Sequence, residues 1–132
     1  ELTPICKFTF LKGYVFRKSN PAVFGVHINV GRLRQKVSIM NASAKKIGII
    51  HQLQDSGKNI EIAKKDQEIA VSIQNITIGR QISEEEVLYS FPPAPEAKLL
   101  LKSFSHKLNP EEFQVLQEIV EIQRKQNPMY GY

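Results

Sequence analysis

Residues 13–34, GYVFRKSNPAVFGVHINVGRLR, decide how the rest of the chain is read. Tyr14, Val15 and Phe16 form an aromatic strand, and Arg17-Lys18-Ser19-Asn20-Pro21 a basic turn. Proline fixes its own φ there and biases Asn20 toward extended geometry. An apolar strand, Val23 to Val30, follows and ends at Gly31, with a second basic group, Arg32, Arg34 and Lys36, beyond it. Apolar side chains anchor both flanks while cations occupy the turns. The stretch predicts a rigid sheet with positive charge at its loop ends.

Upstream, Ile5 to Phe16 alternates as a half-buried strand, with Phe8, Phe10 and Tyr14 on one side and Lys7, Thr9 and Leu11 on the other. Gly13 inside it marks a bulge or bend. Downstream, strands are expected at Lys36–Met40, Ile47–Leu53, Glu68–Ile73 and Val87–Phe91, with 60–65 short and ambiguous. Turn signals such as Asp55-Ser56-Gly57-Lys58-Asn59 separate them. Many short strands so punctuated argue for a closed β-barrel, which also removes exposed edges.

Pro92-Pro93 ends the barrel. Pro95 stands where a first helix would begin. Asn109-Pro110-Glu111-Glu112 opens a second, with Asn as cap, Pro in the first turn and Glu112 placed to complete a capping box. Phe113, Leu116 and Val120 then recur at helical spacing. The expected architecture is mainly β: a small closed barrel over 1–91, a two-helix extension packed on it over 94–126, and a tail, 127–132.

At 132 residues, 42% of them hydrophobic, the chain can bury one core without staples. Cys6 stands alone, which suits a reducing, cytoplasmic setting. No apolar run reaches membrane-spanning length, and no signal peptide is visible. Glu1 in place of an initiator Met suggests a piece of a longer chain. The net charge of +5 is unevenly divided: residues 1–80 carry thirteen Lys and Arg against five acids, and 81–132 five against eight. A basic first part favours a polyanionic partner, although a solvated lysine-rich surface would have the same composition.

Catalytic chemistry finds little support. There is no P-loop, HExxH or CxxC, and His27, His51 and His106 are scattered without a carboxylate or thiolate pattern. Glu84-Glu85-Glu86 reads as a solvated turn. RNA contact fits better. Arg17, Lys18, Arg32, Arg34 and Lys36 can converge at one barrel end, with Tyr14 and Phe16 as stacking surfaces for unpaired bases. Phe16 reads more readily as core, Tyr14 less so. Lys45-Lys46 and Lys64-Lys65 read as solvated faces.

Phe24-Gly25-Val26-His27-Ile28-Asn29-Val30-Gly31-Arg32-Leu33 is similar to the glycine-punctuated hairpin of the translational GTPase β-barrel. Residues 47–50 and 60–71 resemble that barrel's second half. The fuller resemblance, which adds GYVFRKSNPAVFGV, Ile78-Gly79-Arg80 and Gln126-Asn127-Pro128, is to the C-terminal domain of archaeal and eukaryotic translation initiation factor 5B, the relative of bacterial initiation factor 2. Asp66 departs from the usual glycine of the pattern, which leaves a tight positive-φ turn there open.

The resemblance implies a non-enzymatic piece of a ribosome-dependent GTPase, with GTP and magnesium belonging to a G domain absent from these residues and no cofactor here. It implies a monomeric module that holds the acceptor end of initiator Met-tRNA on the ribosome. Arg17, Lys18, Asn20, Arg32, Arg34 and Lys36 would meet the tRNA end, and Tyr14, Phe16 and Val23 the methionyl group. A groove along Lys98, Leu99, Lys102, Phe104, Phe113 and Leu116 would receive the C-terminal tail of initiation factor 1A. A scaffold serving that tail alone is the competing reading. Taken singly, the apolar helix residues read first as interior packing.

Overall fold

The computed structural model describes residues 2–132. Its strands are β1 (Cys6–Arg17), β2 (Ala22–Arg34), β3 (Ser38–Asn41), β4 (Lys46–Asp55), β5 (Lys58–Ile60), β6 (Ile62–Lys64), β7 (Glu68–Ile73) and β8 (Val87–Ser90). Two helices follow, α1 (Ala94–Lys102) and α2 (Pro110–Arg124), with a short 3-10 turn at Ser105–Lys107 between them. Neighbouring strands run β1-β8-β3-β4-β7-β2, and a β2–β1 pairing closes the ring into a six-stranded barrel. Every strand pairing in it is antiparallel. β5 extends β4 as a hairpin, and β6 pairs with the far end of β2.

Period-two alternation builds the interior. Phe8 and Phe10 of β1 and Phe24, Val26 and Ile28 of β2 are fully buried. The Phe10 and Phe24 rings stack with centroids 4.3 Å apart. A fully buried side chain of this size is worth about 1.5–3 kcal/mol over the exposed state. The alternation breaks at Gly13, whose φ of +84° shifts the β1–β2 register between Phe10 and Val15. Past that bulge every residue from Lys12 to Lys18 is exposed.

Two local expectations change, and the turn left open at Asp66 is settled. β2 does not stop at Gly31. With a φ of +80° this glycine keeps the strand running, because a Cβ there would lie 1.8 Å from the Ile5 carbonyl oxygen. Arg32 then donates its amide to that same oxygen, and Arg32 to Arg34 pair with β6. Asn20 is not extended but has a φ of 57°, a region asparagine tolerates better than most residues. Asp66 likewise adopts a φ of 70°, so the tight turn persists without glycine.

α1 begins one residue before Pro95, at Ala94, with Pro93 as its cap residue. At α2, Asn109 accepts the Glu112 amide while the Glu112 carboxylate accepts the Asn109 amide, a complete capping box. Both helices lie on the barrel wall. Leu100, Val115, Leu116, Ile119 and Val120 join Ile5, Met40 and Tyr89 in a second apolar cluster. Lys7 pairs with Glu118 at 3.0 Å, and buried Gln123 donates to the Ala44 carbonyl at 3.1 Å. The tail folds back, and the buried Tyr130 hydroxyl donates to the Pro92 carbonyl.

Candidate nucleic-acid interface

Beyond Gly13 the β1 side of the β1–β2 hairpin, Tyr14 to Arg17, forms an exposed arm. The β2 side stays in the barrel wall paired with β7, and the Lys18 carbonyl at the tip accepts the Ile78 amide at 3.0 Å. The arm's inner side faces the outer wall of β7 and the β4–β5 turn. Between them lies a hollow of about 490 Å³, lined by Leu11, Tyr14, Phe16, Val23 and Gly25 on the arm side and by Gln54 to Gly57 and Glu68 to Ala70 opposite. Tyr14, Phe16 and Val23, the expected aminoacyl pocket, all line this one hollow. Phe16 is not core: it is 62% exposed, and Tyr14 is 52% exposed. The Gly13 bulge turns both rings outward, where they meet edge to face with centroids 6.3 Å apart.

The arm can sit this close because position 25 has no side chain. Gly25 faces outward between buried Phe24 and Val26, and a Cβ built on it would lie 2.8 Å from the Cβ of Tyr14. On the same face of β7 as Ala70, the Ser72 hydroxyl is buried without a hydrogen-bond partner among the described residues.

The basic residues do not converge. Arg17 pairs in register with Val23, whereas Arg32 pairs with Lys64, so the two groups lie at opposite ends of β2. The extended strand between them spans on the order of 30 Å. Arg17 and Lys18 stand at the tip of the arm, beside the turn at Asn20, and the Arg17 Nε donates to the Ser19 carbonyl at 3.0 Å. Arg32 and Arg34 line a second hollow of about 400 Å³ with Leu2, Ile62, Leu100, Phe104 and Lys107, where Arg34 donates to the Leu2 carbonyl at 3.2 Å. Lys36, with a φ of 68°, lies on a third surface with Lys46 and His51. Convergence would require Gly31 to turn the chain back, whereas the strand runs straight through it.

The six helix residues also divide. Leu116 is fully buried against the barrel and cannot line an open groove, while Leu99 is 41% exposed. Phe104 lines the second hollow with the Lys107 ammonium 4.8 Å from its ring centre. Lys98 and Lys102 are exposed and Phe113 half-buried.

Other chemistry is confined. His27 is held by Glu68 at 3.0 Å and Asp66 at 3.5 Å. No group of three His, Cys, Asp or Glu among the described residues is arranged to hold a metal ion. Burial pushes the Cys6 thiol far above its ordinary range, so it stays protonated and is no nucleophile. Glu84 accepts the Gly13 amide at 2.6 Å, so this acidic turn braces the base of the arm. No described helix is long and apolar enough to cross a membrane.

The side of the hollow opposite the arm, Gln54 to Gly57 and Glu68 to Ala70, carries no mark in the local sequence. It is assembled by pairing, since Gly25 registers with Ala70 and β4 lies beside β7. Neither relation follows from the pattern within a strand.

The fold is a small closed antiparallel barrel carrying an exposed aromatic arm with a cationic tip. The chain belongs to the elongation factor Tu domain 4 family, whose model matches residues 4–89. It is 43% identical over 95% of its length to a probable translation initiation factor IF-2 of Ignicoccus hospitalis, of which it covers 21%. It is 44% identical, with the same coverage, to the corresponding factor of Hyperthermus butylicus. The GDP-bound aIF5B from Aeropyrum pernix superposes with a TM-score of 0.92 at 37% identity, over 98% of this chain and 22% of that one. The chain thus spans about a fifth of the length of the relatives it matches, and the likeness to them includes the helical extension beyond residue 89.

Proposed function

We propose that this chain is the domain of a translation initiation factor that holds the aminoacyl acceptor end of initiator Met-tRNA, promoting its placement on the ribosome and subunit joining. The observation that carries the reading is the adjacency of two unlike surfaces on one arm. Tyr14 and Phe16 are exposed rings over an apolar hollow, and Arg17 and Lys18 follow directly at the tip. A methionyl thioether against aromatic rings gains about 0.3–1.5 kcal/mol per contact, and a stacked base about 1–3 kcal/mol. Phosphates of the single-stranded end meet the cations. The ester is held, not cleaved, so no catalytic group is required. Tethering in a longer, cytoplasmic, monomeric factor would raise the effective concentration, and affinity in isolation is accordingly weak.

The test is equilibrium binding of methionylated against uncharged initiator tRNA. The native chain should prefer the methionylated form, and Tyr14→Ala with Phe16→Ala should erase that preference. Equal affinity of the native chain for both forms would sink the aminoacyl reading.

The second hollow supports a separate contact. Arg32, Arg34 and Lys107, against one acid, Glu112, surround apolar Leu100 and Phe104 there, a combination suited to an acidic, apolar-ended peptide such as the C-terminal tail of initiation factor 1A. Amide shift changes on adding that peptide should fall around Phe104 and Arg32 and spare Tyr14.

A further inference from the structure

The charged side chains lining the arm's hollow, Asp55 and Glu68, are both acids, although cations stand at the nearby arm tip. A ligand that is anionic throughout would be attracted to the tip and repelled from the hollow. The charge pattern instead fits a dipolar ligand with phosphate at one end and an ammonium at the other.

The two acids are not equivalent. Glu68 is engaged by the His27 ring at 3.0 Å. Asp55 is half-buried and belongs to no ion pair among the described residues. Its cross-strand partner is Lys58, yet its carboxylate accepts only the Ser56 hydroxyl, at 3.3 Å. Ser56 and Gly57, with φ of 54° and 79°, make a tight two-residue hairpin that holds Asp55 at the hollow's edge.

We propose that Asp55 recognises the free α-ammonium of the aminoacyl ester, so that the hollow selects an unacylated aminoacyl end over an N-acylated one. This rests on the aminoacyl reading above. Acylation removes the positive charge and turns a carbonyl oxygen toward two carboxylates. An α-amino group titrates near pH 8 and a neighbouring carboxylate favours its charged form, so the selectivity fades as pH rises past that range.

The experiment compares three probes on the same chain: methionyl-, N-acetylmethionyl- and uncharged initiator tRNA, at about pH 6.5. The expected result is about a threefold to fivefold preference for methionyl- over N-acetylmethionyl-tRNA, the upper end of the scale of one partly exposed charge pair. Asp55→Asn should weaken the methionyl form alone and bring the two within about twofold. Asp55→Ser repeats the test, and unchanged circular dichroism certifies both folds. Equal binding of the two charged forms by the native chain, or a preference that survives both substitutions, overturns the role of Asp55 and leaves the aminoacyl site standing. Equal binding of all three probes overturns both.

Discussion

Tyr14 lies so close over Gly25 that a Cβ at position 25 would meet the Cβ of Tyr14 at 2.8 Å. That atom is the root of the side chain, so no rotamer change relieves the clash and the arm itself must lift. Gly25→Ala should therefore cost about 1–3 kcal/mol if the arm stays seated, and less if it swings free. In either case the Tyr14 ring resonances should shift and the preference for methionylated tRNA should fall. Wild-type Tyr14 resonances together with a wild-type melting temperature would show that the arm does not rest on Gly25.

Asn109 caps α2 by accepting the Glu112 amide at 2.7 Å. Asn109→Ala removes that acceptor and should lower stability by about 1 kcal/mol. Urea unfolding would show it as a lower midpoint at unchanged slope. Binding at the arm, on another face, should not change.

Tyr130 reaches from the tail to the Pro92 carbonyl at 2.5 Å. Tyr130→Phe leaves that carbonyl without its donor and should cost about 1–3 kcal/mol. Burial, then the negative charge of Glu96, pushes the Tyr130 hydroxyl well above its ordinary value of 10.0. The folded chain thus holds this proton more tightly than the unfolded chain. The associated stability is complete below about pH 10 and is lost as pH climbs toward the raised folded value. Thermal melts from pH 8 to 11 should fall more steeply for the native chain than for Tyr130→Phe. Some slope should remain in the variant, because burial raises the Cys6 thiol and, with Glu118, Tyr89 as well, the latter against the opposing pull of Lys7. Parallel curves would remove Tyr130 from the alkaline transition.

Arg17 and Lys18 form the cationic tip, and each single-strand phosphate left without its cation should reduce the salt slope of binding by about 0.7. Arg17→Ala with Lys18→Ala should lower log-log slope and affinity together in a filter-binding titration. Arg32→Ala should leave the slope unchanged, because Arg32 lies at the other end of β2. The reverse ranking would move the phosphate path to the helical side.

Much of the barrel is legible in local sequence. Alternation at Phe8 and Phe10 and at Phe24, Val26 and Ile28 marks the inward faces, and the clean alternation of residues 68–73 delimits β7. Asn109 to Glu112 announces the start of α2, because a capping box is a short-range device. What local pattern hides turns on glycines and on long-range pairing. Gly31 looks like a stop, since nothing near it in sequence shows that the Ile5 carbonyl crosses there. Phe16 looks like core until the Gly13 bulge is followed through to the face it exposes. Asp55 and Glu68 line one hollow only because β4 lies beside β7, and no spacing within either strand says so.

The two sides of the hollow differ in stiffness. β7 has barrel neighbours on both edges and a buried inner face, while the exposed end of β1, Tyr14 to Arg17, pairs on one edge only, with β2. The arrangement works as a vice with one fixed jaw. Bulkier guests would be admitted by displacement of that β1 edge alone, so slowed amide exchange in Tyr14 to Arg17 should report occupancy while the opposing wall stays unchanged.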